Sequence, residues 1–111
     1  SKIIKPYISD SVPFFLAGDL NTSFKSRYFS EMINEFKLSC PILSDKSPFT
    51  YSSKNSWNGK NYNVWIDFIL ENENEKIQVL NQFIIRPKMI LKNKKIDLAD
   101  HYGIALKIAL N

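Results

Sequence analysis

The letters GDLN at positions 18–21 place a carboxylate and a carboxamide directly after an apolar segment. Residues 12–17 form a nearly continuous apolar run that predicts a buried strand, so Asp19 and Asn21 fall at its carboxyl end. Side chains two residues apart can both project into the crevice beyond such an edge. Alone this string is weak evidence, because Asp and Asn after a strand more often form a turn.

A second pair of polar side chains precedes the last segment of the chain. Asp100 stands directly before His101, the single histidine, and residues 102–110 then carry a large apolar side chain at every second position in the way that is typical of a strand. Neighbouring side chains in an extended chain point to opposite sides. We therefore expect Asp100 and His101 to serve different parts of a site.

Asp67 is the one charged residue in the predicted strand 64–70. Burial of an unpaired carboxylate costs several kcal/mol, so a partner is expected. His101 is the candidate, and a bond from Asp67 to one ring nitrogen would fix the tautomer of the imidazole and raise its basicity. The alternative is an edge strand on which Asp67 faces solvent.

The remaining pattern predicts one α/β layer. Thr22 or Ser23 is a suitable cap for a helix whose apolar residues recur at spacings of three to five, and residues 77–86 and 88–91 are two further apolar pieces separated by Pro87. Strands outnumber helices. We expect a sheet of about four to six strands with at least one helix on it.

Composition limits the protein classes. A chain of 111 residues with 44% hydrophobic residues builds one domain at most, and this stretch has no apolar run long enough for a membrane span or a signal peptide. The single cysteine, Cys40, forms no internal disulfide and lacks the neighbours of a zinc site, so we expect a small buried hydrophobe. The net charge of +4 suits a polyanionic partner or simply reflects a lysine-rich composition.

Four strings in a fixed order resemble one known family. They are GDLN at 18–21, FTY at 49–51, IDFI at 66–69 and ADHYGI at 99–104. The second half of endonuclease/exonuclease/phosphatase superfamily proteins is similar: a strand ending in GD-[FL]-N, a Thr-Tyr or Thr-Trp loop, a hydrophobic-Asp-Tyr strand and Ser-Asp-His before the last strand. Two departures are Ala99 in place of the Ser, and Trp65 where DNA-repair members carry Arg.

The resemblance implies a fold and an incomplete site. Residues 1–111 would be the C-terminal half of a single domain of DNase I-like fold, that is, half of a four-layer α/β/β/α sandwich with one mixed, mostly antiparallel sheet and a flanking helix. The missing N-terminal half would be the partner of this chain and would supply a metal-binding Glu. The isolated chain is then expected to be inactive.

The resemblance also implies roles for five residues. Asp19 and Asn21 would orient the attacking water and hold the phosphate, His101 would contact or protonate the phosphoryl group, and Asp67 would orient His101. Asp100 would be a divalent-metal ligand or a neighbour of the metal site. Hard oxygen donors suit Mg²⁺, with Mn²⁺ or Ca²⁺ as alternatives.

Three functions follow as hypotheses from the resemblance. The first is divalent-metal-dependent phosphodiester hydrolysis by a nuclease, for which the basic charge is suitable. The second is a sphingomyelinase-like phospholipid phosphodiesterase, which shares GDLN and a non-arginine residue at Trp65. The third is a non-catalytic half-domain that completes a partner chain.

Overall fold

The computed structural model describes residues 5–9, 11–59 and 61–111 of the chain. Strands predominate, and one α-helix lies between the first two of them. The elements are a 3-10 turn Lys5–Tyr7, β1 Phe15–Asp19, α1 Arg27–Phe36, β2 Asp67–Glu71, β3 Ile77–Ile85, β4 Lys88–Leu91, β5 Lys94–Asp97 and β6 Gly103–Leu110. No helix within the described ranges has the length and apolarity needed to cross a membrane.

The strands pair as three separate antiparallel sheets of two strands each: β1 with β2, β3 with β6, and β4 with β5. The predicted half of a four-layer α/β/β/α sandwich, built on one sheet, is therefore wrong. β2 and β6 approach each other but share no hydrogen-bonded ladder. Single-residue bridges from the segment 39–51 to Glu71 and Gln82 occupy strand edges that a continuous sheet would use.

Helix α1 begins later than its sequence pattern predicts. Ser26 is the N-cap, and its Oγ accepts a hydrogen bond from the Tyr28 amide at 3.1 Å, so the predicted caps Thr22 and Ser23 are wrong. The physical reason lies one residue beyond Ser23. The ring of Phe24 stacks on the indole of Trp65, with 4.8 Å between the ring centroids. This packing holds the preceding residues outside the helix.

Strand positions agree with the pattern where alternation is clean. The strand predicted from residue 102 is confirmed as β6, and the two apolar pieces at 77–86 and 88–91 form the strands β3 and β4. The first strand begins at Phe15 instead of Val12 and is mostly exposed, so its predicted burial is wrong. Strand β5 was not predicted; it pairs with β4 across a tight turn in which Lys92 and Asn93 both have positive φ.

The apolar side chains form two clusters. Phe29, Leu38, Phe68 and Leu70 make the first, between α1 and the β1–β2 sheet, and Leu43, Ile84 and Tyr102 make the second. Trp65 packs against both, which joins them just before Asp67. Cys40 borders the first cluster, and burial raises the pKa of its thiol to about 12, so it remains protonated and packs as a hydrophobe.

Candidate metal site

The register of the first sheet sets two carboxylates against each other. Asp19 ends β1, Asp67 begins β2, and the two residues are direct cross-strand partners. Partners in such a pair lie on the same face of a sheet, and like charges placed opposite each other destabilise it. The face beside Asp19 and Asp67 therefore concentrates negative charge.

His101 completes the cluster. Its Nδ1 lies 2.8 Å from Oδ2 of Asp67, which confirms the predicted contact between the two side chains. One ligand atom each from Asp19, Asp67 and His101 lie within 4.8 Å of one another. Asp67 and His101 are partly buried and Asp19 is exposed, so the cluster is open to solvent on one side.

The cluster holds excess negative charge, and this charge shifts the pKa of His101. Burial lowers the pKa of His101, but the hydrogen bond to Asp67 and the charges of Asp67, Asp100 and Asp19 outweigh it, so the net pKa shift is upward. The ring edge of Tyr51 packs against the imidazole at 5.4 Å between centroids. These neighbours therefore favour the imidazolium form of His101.

The loop after residue 51 holds the histidine segment by side-chain bonds to its backbone. Asn55 Nδ2 donates to the Ala99 carbonyl at 2.8 Å, and Asn58 Nδ2 donates to the Asp100 carbonyl at 3.0 Å. The Trp57 indole donates to the Asp97 carbonyl at 2.7 Å. The sequence marked this stretch only as loop, and no motif in it signals these contacts.

The five predicted site residues are not all brought together. The Asn21 amide donates to Oδ1 of Asp19 at 2.8 Å, and Asn21 has a φ of 49°, so these two form the turn that their residue types favour. Among the described residues, the group that could hold an ion is Asp19, Asp67 and His101. Asp100, the predicted metal ligand, is exposed outside it and acts on His101 through its charge.

The donor set fits a hard divalent cation. Mg²⁺ is usually held by one or two carboxylates and keeps several waters, and the facing carboxylates of Asp19 and Asp67 supply that number on an open face. With Nδ1 engaged by Asp67, the Nε2 of His101 is the ring nitrogen available to a ligand. The arrangement offers two anionic oxygen donors and one proton-carrying nitrogen.

Comparisons with known proteins give no family assignment. No family model matches the chain, and no match was found among curated proteins or solved structures.

Proposed function

We propose that this chain contributes the reaction centre of a divalent-metal-dependent phosphodiesterase. The observation that carries the proposal is the cross-strand pair Asp19–Asp67 with His101 bonded to one of its members. The order of the four sequence strings, which resembles the second half of endonuclease/exonuclease/phosphatase superfamily proteins, supports it independently.

Each residue of the cluster suits one part of that reaction. Asp19 and Asp67 would hold the cation, and Asn21 at the adjoining turn would orient water or phosphate. When bound, the cation supplies Lewis-acid stabilisation of charge on the phosphoryl oxygens. The imidazolium of His101 would donate from Nε2 to a phosphoryl or leaving-group oxygen, while Asp67 holds its Nδ1 proton and fixes the ring.

Asp100 would act at longer range. Its charge favours the protonated His101, and its exposed carboxylate could hold a metal-bound water without being a direct ligand. We therefore retain Asp100 in the proposed metal environment, with Mg²⁺ as the first metal and Mn²⁺ or Ca²⁺ as alternatives.

A nuclease is the first proposal for the substrate. The net charge of +4 favours approach of a polyanion, and the exposed lysines of the β4–β5 hairpin, Lys92, Lys94 and Lys95, add positive charge on a segment that leads directly to His101.

A phospholipid phosphodiesterase is the second proposal, and one observation favours it. Trp57 is 51% exposed and Ile90 of the same lysine-rich hairpin is 79% exposed. Apolar side chains beside lysines suit the boundary between headgroups and acyl chains. Nucleic-acid backbones offer no comparable surface to Ile90.

A second polypeptide segment is part of the proposal. Phe15 lies on the same face as Asp19 by strand alternation and is 40% exposed, and Phe83 and Ile85 of β3 are also exposed. An N-terminal half that packs against these exposed side chains could supply a further metal-binding carboxylate. A non-catalytic half-domain that only completes a partner would use the same surface, so activity separates these two hypotheses.

The test is hydrolysis by the polypeptide that contains this chain, assayed on bis(4-nitrophenyl) phosphate, plasmid DNA and sphingomyelin vesicles, with Mg²⁺ or with EDTA. We expect Mg²⁺-dependent cleavage, lost in Asp67→Asn and retained in Asp45→Asn, since Asp45 pairs with Arg86 away from the cluster. The preferred natural substrate decides between nuclease and phospholipase. Absence of metal-dependent cleavage of all three substrates would overturn the enzymatic proposal.

A further inference from the structure

Thr50 is fully buried and bonds to the segments that carry both members of the Asp67–His101 pair. Its Oγ1 accepts from the amides of Ile66 and Asp67, each at 3.1 Å. Its carbonyl accepts from the amide of Tyr102, the residue after His101, at 2.7 Å. One residue thus joins the start of β2 to the start of β6.

These bonds replace the ladder that β2 and β6 lack. The two strands approach each other without forming a shared sheet, so strand pairing does not fix Asp67 relative to His101. The Thr50 amide donates to the Val64 carbonyl at 3.1 Å, which anchors Thr50 itself to the chain leading into β2. The 2.8 Å contact between Asp67 and His101 is therefore supported by a bridge through Thr50, alongside the bonds from Asn55 and Asn58 to the backbone of residues 99 and 100.

We propose that Thr50 is the positioning residue of the Asp67–His101 pair, and that its hydroxyl sets the tautomer and orientation of the imidazole by fixing the backbone of Asp67. The contact itself is independent of any activity, whereas its importance for turnover rests on the proposed phosphodiesterase function. Loss of an outer partner that orients a reacting side chain typically lowers activity about 10–100-fold.

The first readout is the ring tautomer of His101. The chain has one histidine, so its imidazole nitrogens give a single set of NMR signals. The spectra are recorded on the EDTA-treated chain at a pH that leaves the ring neutral. We expect the Nδ1–H tautomer to dominate in the wild type and in Thr50→Ser, and the Nε2–H tautomer to gain at least about threefold in population in Thr50→Val, which keeps the shape and loses the hydroxyl.

The second readout is turnover of bis(4-nitrophenyl) phosphate by the polypeptide containing this chain. Thr50→Val should lower kcat about 10–100-fold with KM changed less than about twofold, and Thr50→Ser should restore most of kcat. If the wild type has no phosphodiesterase activity, the proposed function fails and the tautomer alone decides the role of Thr50.

Ser52 provides the matched control. It is a buried hydroxyl two residues away, and it donates to Asn63 at 3.0 Å instead of contacting β2 or the segment that carries His101. Ser52→Ala should leave the tautomer unchanged. An equal tautomer shift in Ser52→Ala, or no shift in folded Thr50→Val, overturns the proposal.

Amide exchange in the wild type keeps the proposal testable if Thr50→Val does not fold. The amides of Asp67 and Tyr102 should exchange at least about tenfold more slowly than that of Gly59, a loop residue, because both are bonded to Thr50. Exchange as fast as in Gly59 overturns the bridge.

Discussion

Asp67 and Asp97 show two opposite uses of an aspartate at a strand end. The Asp97 side chain is almost fully buried, pairs with Lys88 and accepts from the Ser56 amide at 2.7 Å and the Ser56 hydroxyl at 3.1 Å. Asp67 is partly exposed, contacts one histidine and faces a second carboxylate, Asp19, across the sheet.

The difference lies in the charge balance of each cluster. Burial raises the pKa of Asp97, but the bonds from Lys88 and Ser56 outweigh it, so the pKa is lowered and the ionised carboxylate is internally satisfied. Around Asp67 two carboxylates share one histidine. A saturated cluster stabilises the fold, whereas a cluster with surplus negative charge and an open face is suited to bind a cation.

The largest expected effect is loss of activity on substitution within the cluster of Asp19, Asp67 and His101. His101→Gln should lower kcat on bis(4-nitrophenyl) phosphate about 1000-fold, equivalent to about 4 kcal/mol of barrier, because the proposed proton donor is removed. The free energy of unfolding, measured by urea denaturation, should change by less than about 1 kcal/mol, since the His101 side chain is only partly buried. A folded variant that retains wild-type kcat would remove His101 from the proposed mechanism.

A comparable change at the saturated cluster should affect stability instead. Asp97→Ala should lower the free energy of unfolding by about 2–3 kcal/mol, the lower end for broken buried pairs because Lys88 is partly exposed and can rehydrate. Urea denaturation measures this, with Lys107→Ala as the control, because Lys107 is an exposed side chain of β6. Asp97→Ala with unchanged stability would contradict the assignment of Asp97 to structure.

The effect of Mg²⁺ on stability should also distinguish the two clusters, and this effect is smaller than the two above. Mg²⁺ at about ten times its dissociation constant should raise wild-type stability by about 1.4 kcal/mol. Asp19→Asn should abolish this increase, because one of the two facing carboxylates is lost, and Asp97→Asn should retain it. A Mg²⁺ response that survives Asp19→Asn would locate the ion elsewhere.

The smallest effects are opposite pH dependences. The folded pKa of Asp97 is lowered, so its stabilisation is present above the unfolded pKa and is lost as pH falls through the folded value. The folded pKa of His101 is raised, so its stabilisation is present below the unfolded pKa and is lost as pH rises through the folded value. Urea unfolding at a series of pH values should show Asp97→Asn flattening the acid limb and His101→Gln the limb near neutrality. Identical pH profiles for both variants would contradict the comparison.

The sequence predicted a side-chain contact where only one partner of the required type was available. With one histidine in the chain, the need of Asp67 for a partner pointed to His101, and that contact is present. The cross-strand position of Asp19 could not be predicted, because it depends on the register of two strands about 50 residues apart. The pairing of Lys88 with Asp97 depends in the same way on β5, which the sequence did not reveal.

The fold was predictable strand by strand but not as an assembly. The alternation of large side chains located β6 and an apolar run indicated β3, since both patterns are local properties of the sequence. The joining of strands into one sheet depends on what occupies their edges, and the polar segment 39–51 places isolated bridges there. That segment carries no periodic pattern that predicts such bridges.

The most direct test of the central claim is a Mn²⁺ titration followed through the single histidine. We expect substoichiometric Mn²⁺ to broaden the imidazole signals of His101 selectively in the wild-type chain and in Asp97→Asn, because the proposed site lies between Asp19 and Asp67. The broadening should disappear in Asp19→Asn and Asp67→Asn. Sharp His101 signals in the wild type, or broadening that persists in both site variants, would contradict a metal centre at this cluster.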